Sequence, residues 1–511
     1  MSLKKEFGDF QTPEYLAEKV VTLVNSIFGK PELVVEPTAG LGSFIKASVD
    51  CWGNDCQYEG YEVNKEYVEQ ASKTLNATPA KILHRNFFSE DWKKNLSKTN
   101  AKKILVVGNP PWVTNSELGS LGSQNLPQKS NFQGLRGFDA KTGKANFDIA
   151  EWMLIKLIEA LPKQGAIAML CKTATARKVL KHFWKTEGGR EGSCIFRFDA
   201  KATFDVAVDA CLLMVTGQVS QNKTATIYKE LSISADSTQF GFVDGDLVSD
   251  IEAYNGQRDL DGGTSAYQWR SGIKHDASKV MELTYNGSCY QNGLGELVEL
   301  EDNYIYPLLK SSDIGNRRVE PRKYVLIPQK HTGDETSTIS TVAPKTWAYL
   351  NDHAETLDNR RSSIYRNRPQ FAIFGIGRYS FAPWKVAVSG MYKSFAFVVI
   401  PPFKNCPVMI DDTCYSIPCN TEKEATLLCN LLSSKLAKEF LQSLVFMDSK
   451  RPITIDVLRR ISISSIAKKT GKLNQLESCI NSGITYEGTE KQMLLAMEKQ
   501  KKYQTSKLNR T

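Results

Sequence analysis

At 511 residues, with 41% hydrophobic and 24% charged side chains, the chain has the make-up of a globular protein of two or three domains, not of a fibrous or disordered one. A net charge of +9 permits a polyanionic partner without demanding one, and no run approaches the roughly 18 apolar residues of a membrane span. The 11 cysteines are scattered and the 5 histidines lie apart from them, so zinc-finger spacing is excluded and no metal is expected. Cys171, Cys194 and Cys211 lie in apolar runs and read as buried reduced thiols; with no signal-peptide pattern at Met1, a soluble cytoplasmic protein is expected.

In chain order, strand and helix patterns alternate through the first 220 residues, which predicts a mostly parallel α/β sheet. Apolar residues at helical spacing run from Pro13 to Ile27. Leu33–Val35 reads as a buried strand, a helix starts near Ser43, and Gln57–Val63, Lys81–His84 and Ile104–Val107 read as further strands. Phe147–Leu161 predicts a helix stopped by Pro162, and Ala166–Leu170 a strand. Cys194–Phe198 and Val208–Thr216 are expected to pair as an antiparallel edge hairpin. Beyond Val219 apolar runs shorten: Tyr324–Ile327, Phe371–Ile376, Val386–Val388, Phe395–Ile400 and Val408–Ile410 read as strands, with a helix over Glu422–Ser443 and a charged, helix-favouring tail. The expected division is a Rossmann-like catalytic domain over 1–220, a connecting region over 221–298, an α+β domain over 299–466, and a tail over 467–511.

Three motifs carry chemistry. In Val34–Phe44 a strand ends in Glu36, and Gly40 and Gly42 turn the backbone into the next helix; the place of a dinucleotide fold's third glycine holds Ile45. The spacing suits S-adenosylmethionine, which has no pyrophosphate to cradle. Glu62 ends the next strand about 20 residues further on, where a carboxylate accepts both ribose hydroxyls. The third motif is Asn109-Pro110-Pro111-Trp112, directly after the strand Ile104–Val107 and Gly108. Two prolines fix φ and remove two donors, so the loop presents carbonyls. The Asn109 amide oxygen and the Pro110 carbonyl can both accept from one exocyclic amino group, and Trp112 offers a flat face to a base.

This arrangement resembles the gamma-class, TaqI-like adenine-N6 DNA methyltransferases of bacterial restriction–modification systems, through motifs in the family's order over about residues 7–217. The resemblance implies that Thr12 of a Thr-Pro pair, Glu36 and the Ala39–Gly40 backbone meet the methionine end of S-adenosylmethionine, and that Glu62 binds its ribose. It places Asn86 and Phe87 at the cofactor adenine, where Asn86 departs from the usual Asp and keeps an acceptor without a charge. Phe204 corresponds to the family's second wall for an extruded adenine, and the loop over Val113–Lys144 lies where a lid orders around DNA.

More loosely, Tyr306–Arg318 is similar to the opening of the family's recognition domain. Arg360, Arg361, Arg366 and Arg368 cluster around Tyr365, arginines serve phosphate contact and guanine reading, and with Arg378 they are candidate contacts to double-stranded DNA, a reading that this resemblance strengthens. A cognate restriction endonuclease acting on the same site is implied as a separate chain. Rival readings are an N4-cytosine methyltransferase, which more often carries Ser in place of Asn109, a methyltransferase of RNA or of protein glutamine, and a DNA-binding specificity subunit without activity.

Overall fold

The computed structural model describes residues 11–97, 101–113, 148–263 and 266–482, and the chain divides into two compact units, Met1–Glu252 and Ala253–Thr511. In the first, α1 (Glu14–Phe28) buries Leu16, Val20, Leu23 and Val24 on one face. Then come β1 (Leu33–Glu36), α2 (Ser43–Trp52), β2 (Gln57–Glu62), α3 (Lys65–Thr74), β3 (Ala80–His84) and β4 (Ile104–Gly108). After α4 (Ile149–Ala160) follow β5 (Ala166–Lys172), α5 (Thr173–Thr186), β6 (Cys194–Asp199), the short α6 (Ala200–Phe204) and β7 (Asp209–Thr216). The last strands are β8 (Thr224–Tyr228), β9 (Ser237–Val243) and β10 (Asp246–Val248).

These strands form one ten-stranded sheet in the order β10-β9-β8-β6-β7-β5-β4-β1-β2-β3. From β3 to β5 all pairs are parallel, and every residue of β1 and β4 is buried, as expected of strands covered on both faces. The chain runs outward from β1 to β3 and then returns to the other side of β1 as β4. The carboxyl ends of β1 and β4 therefore frame the crevice where connections diverge, the usual ligand position in such a sheet.

Two expectations fail in this unit. The β6–β7 hairpin is antiparallel, but it is interior: β8 pairs with β6, and β9 and β10 continue outward. The sheet consequently does not stop at 220, and 224–248 belong to it instead of forming a connection. These strands escape a search for apolar runs because β8 and β9 bury only Ala225, Phe240 and Gly241.

The second unit contains β11 (Arg270–Ser271), β12 (Glu282–Tyr285), β13 (Tyr290–Asn292), β14 (Leu297–Val298), β15 (Ile305–Leu309) and β16 (Lys323–Leu326). Later come β17 (Trp384–Ser389), β18 (Val398–Ile400), β19 (Met409–Ile410) and β20 (Cys414–Cys419). They build a six-stranded sheet, β14-β13-β12-β16-β15-β19, and a four-stranded one, β11-β20-β17-β18. The unit thus starts inside the expected connecting region.

Three local readings also change here. Phe371–Ile376 is a buried crossing without a strand, because Phe371 adopts a left-handed φ of 63° and Gly375 one of 68°. The helix over Glu422–Ser443 is two, α7 (Glu422–Leu432) and α8 (Lys435–Ser443), broken where Ser434 caps the second by accepting the Ala437 N–H. The tail is packed as far as α9 (Leu473–Ser482), which buries Leu476 and Cys479. No described helix is long and apolar enough to cross a membrane.

Candidate active site

The turn after β1 is built by two left-handed glycines, Gly40 (φ 52°) and Gly42 (φ 81°), with the Gly42 N–H donating to Ala39 O at 2.7 Å. A Cβ on Gly40 would stand 2.6 Å from the Gln11 side chain, whose Oε1 accepts the Leu41 N–H at 3.1 Å. Glu36 ends β1 only 3% exposed, and its Oε2 accepts the Ile45 N–H at 3.1 Å. Burial pushes its carboxyl well above the usual range against the pull of that N–H, and neighbouring Glu62 adds to the rise.

Glu62 is held by its backbone neighbours. Oε2 accepts the Gly40 N–H and Oε1 the Asn64 N–H, each at 2.8 Å. A carboxylate oxygen can accept more than one donor, so these two bonds do not by themselves bar it from adjacent hydroxyls. Asn86 caps a short 3-10 turn by accepting the Phe88 N–H at 2.9 Å. That fixes Phe87, which packs on Trp92 and Trp152 at ring separations of 4.8 and 6.2 Å.

At the end of β4, Asn109 Nδ2 donates to Thr12 Oγ1 (3.3 Å) and Thr38 Oγ1 donates to Asn109 O (3.3 Å). At the loop's other end Lys172 Nζ donates to Trp112 O at 3.0 Å. Trp112 is 6% exposed and meets half-buried Phe204 edge to face, with centroids 5.5 Å apart and planes at 80°. The two expected walls thus meet at a corner. A base held between two rings needs about 7 Å from face to face.

One cavity gathers Thr12, Glu36, Ala39, Gly40, Glu62, Asn86, Phe87 and Asn109; Gly42 shapes the turn without lining it, and Pro110, Trp112 and Phe204 stand outside it. The donor set fits S-adenosylmethionine: a buried carboxylate lacking a described cation for its ammonium, a second carboxylate for vicinal hydroxyls, and an aromatic wall. Gln11, Asp148 and Lys172 were missed in the sequence. A lone charge closing the apolar run Ala166–Cys171 marks Lys172 in the sequence without giving its role. The expected lid falls almost wholly on 114–147, outside the described residues.

In the second unit the arginines separate. Arg360 is not a free contact residue: Nε donates to Leu357 O (2.6 Å), one terminal nitrogen reaches Ala372 O (2.8 Å) and His275 O (3.3 Å), and the guanidinium lies 3.7 Å over the Tyr365 ring. Arg361, Arg366, Arg368 and Arg378 are exposed, and no described carboxylate pairs with any of them. In the segment from Lys310, Arg318 and Arg322 pair with buried Asp313 at 3.0 and 2.8 Å.

No family model matches the chain. Type II methyltransferase M.NspV of Nostoc sp. (strain ATCC 29411 / PCC 7524) is 41% identical over 471 residues, 91% of this chain and 98% of that protein. Among solved structures, the type IIL restriction–modification enzyme MmeI in complex with DNA shares the fold over 99% of this chain and 80% of its own, with a TM-score of 0.50 at 12% identity. Identity of that size along nearly the full length of both chains means that this protein belongs to the type II methyltransferases, the DNA methyltransferases of restriction–modification systems, with S-adenosylmethionine as methyl donor.

Proposed function

We propose that the enzyme methylates N6 of an adenine in double-stranded DNA after extruding the base, and that a separate restriction endonuclease reads the same site. The carrying observation is the pair of acceptors at the end of β4. Asn109 lines the donor cavity, and no described residue donates to the adjacent Pro110 carbonyl. An exocyclic amine placed between them gives one N–H to each. Its nitrogen lone pair is then drawn out of conjugation and toward the cavity. Asn at this position, where Ser is the commoner residue for N4-cytosine enzymes, favours adenine.

S-adenosylmethionine supplies an electrophilic methyl group on a sulfonium. Glu36 holds the ammonium end, helped by Thr12 and the Ala39–Gly40 backbone, Glu62 takes the ribose hydroxyls, and Asn86 and Phe87 take the adenine. Extruding a base costs a few kcal/mol, and stacking on Trp112 returns about 1–3 kcal/mol of it. Phe204 swings from its edge-on position to admit the base. Exposed Arg361, Arg366, Arg368 and Arg378 contact the duplex.

Labelled cofactor, duplex DNA and nucleoside analysis test the product: N6-methyladenine is expected, and N4-methylcytosine overturns the reading. Asn109→Ala is expected to lose about 100-fold or more in turnover with cofactor affinity within a few-fold. A variant keeping a tenth of the rate removes Asn109 from the chemistry.

A further inference from the structure

The loop Asn109–Trp112 has an anchoring problem. Its two prolines carry no N–H, so it must be held largely through its carbonyls. The outer two are held: Thr38 Oγ1 donates to Asn109 O at 3.3 Å, and Lys172 Nζ donates to Trp112 O at 3.0 Å. The inner two, of Pro110 and Pro111, receive nothing from any described residue. The pins therefore fix the loop while leaving the Pro110 carbonyl open.

Lys172 is itself fixed. It closes β5, its side chain is 28% exposed, and its ammonium sits 3.0 Å from Asp148 Oδ2. Asp148 is 8% exposed, accepts the Thr175 hydroxyl on the same oxygen (3.3 Å), and caps α4 with Oδ1 on the Ala150 N–H (3.1 Å). The next residue, Ile149, donates its N–H to Val113 O at 3.0 Å, so the helix start and the loop end are stitched together. A lysine needed only to neutralise Asp148 has no reason to reach the Trp112 carbonyl as well. A short polar residue at the end of β5 could not span both.

We propose that Lys172 is a positioning residue: docked on Asp148, it holds the Trp112 backbone and so sets the indole for stacking with the extruded base. The inference rests on the proposed function, since it presumes an extruded base. A charge-assisted bond of this kind corresponds to about a ten- to hundredfold change in an equilibrium or rate.

The test uses the full-length enzyme with Lys172→Met and Lys172→Arg. Expected for Lys172→Met is a ten- to hundredfold slower single-turnover rate at saturating cofactor and DNA, cofactor affinity within a few-fold, and weaker brightening of 2-aminopurine at the target position. Lys172→Arg is expected to recover most of both losses. Asp148→Asn keeps the helix cap but not the charge, and is expected to show the same pattern more mildly. A wild-type rate in Lys172→Met, a parallel collapse of rate and cofactor affinity, or an arginine variant no better than methionine overturns the inference. Should wild type place its methyl group on cytosine, the adenine reading fails by that product alone, and the rate comparison still judges Lys172.

Discussion

Glu36 in the first unit and Glu282 in the second are both buried, and the two are treated in opposite ways. Glu282, on β12, is 5% exposed. Lys310 and Lys323 place their ammonium groups 2.5 and 2.8 Å from its two oxygens, and His275 Nε2 lies 3.6 Å away. Burial alone would raise its carboxyl, but the two lysines outweigh that and hold it below the usual range. Glu36 has one backbone N–H and no described cation, and burial wins. A buried charge that the chain neutralises itself belongs to the scaffold. One that the chain leaves uncompensated either stays protonated or receives its counter-charge from a ligand.

The largest effect expected from that contrast is on stability. Lys310→Met combined with Lys323→Met leaves Glu282 buried without its counter-charges and should cost about 2–4 kcal/mol, the lower part reflecting how far the ammonium groups are already solvated. Urea unfolding near neutral pH measures it. Because the folded-state carboxyl is depressed, its contribution is present above the ordinary carboxylate pKa and lost as pH falls through the depressed value. The gap between wild type and the double variant should therefore narrow in acid. A gap that widens there would mean that Glu282 is not the group responsible.

Glu36→Gln should move the other way. A carboxyl raised in the folded state costs nothing while it is protonated in both states; the cost grows as pH rises above the ordinary carboxylate value and is complete once pH passes the raised folded one. The cofactor-free variant should thus melt higher than wild type near pH 8 and converge with it in acid. At the same time cofactor binding should weaken about ten- to a hundredfold, since a charged hydrogen bond is lost. If the variant melted lower at pH 8, Glu36 would have an internal partner and would resemble Glu282 after all.

How much of this could be read beforehand follows from where the partners lie. Gly40, Gly42, Glu36 and Glu62 were legible because a turn and two strand ends put their chemistry within a short stretch of chain, and the double proline marks its own loop. Lys172 and Asp148 were not, since their meaning lies in a contact to the Trp112 carbonyl, far away along the chain. Phe371–Ile376 has the apolar content of a strand, and only its left-handed residue shows that it is a buried crossing. The strands β8 to β10 were hidden for the opposite reason, being too polar at the sheet's end to stand out. The corner of Trp112 and Phe204 is a matter of ring orientation, which no spacing encodes.

The arginines carry the same contrast to its smallest and most discriminating effect. Arg360 looked like the head of a basic cluster, but its neighbours are carbonyls and a tyrosine face, so its charge is spent inside the fold. Burial also lowers its pKa, as for a cation held away from water. Arg360→Ala is expected to destabilise the second unit by about 1–3 kcal/mol and leave the salt dependence of DNA binding unchanged. Lysine should not rescue it, because one ammonium cannot reproduce a planar fork reaching three carbonyls.

The exposed four should behave in reverse, with melting unaltered. Loss of a phosphate contact lowers the slope of log affinity against log salt by about 0.9, while loss of a base contact costs about 1–3 kcal/mol at one base pair and relaxes the methylated context there. Titration at several salt concentrations and sequencing of the methylated sites separate the two for Arg361, Arg366, Arg368 and Arg378. If Arg360→Ala shifted the slope without moving the melting point, or if all four exposed variants matched wild type in both measurements, compensation inside the fold would not be what divides scaffold from interface in this unit.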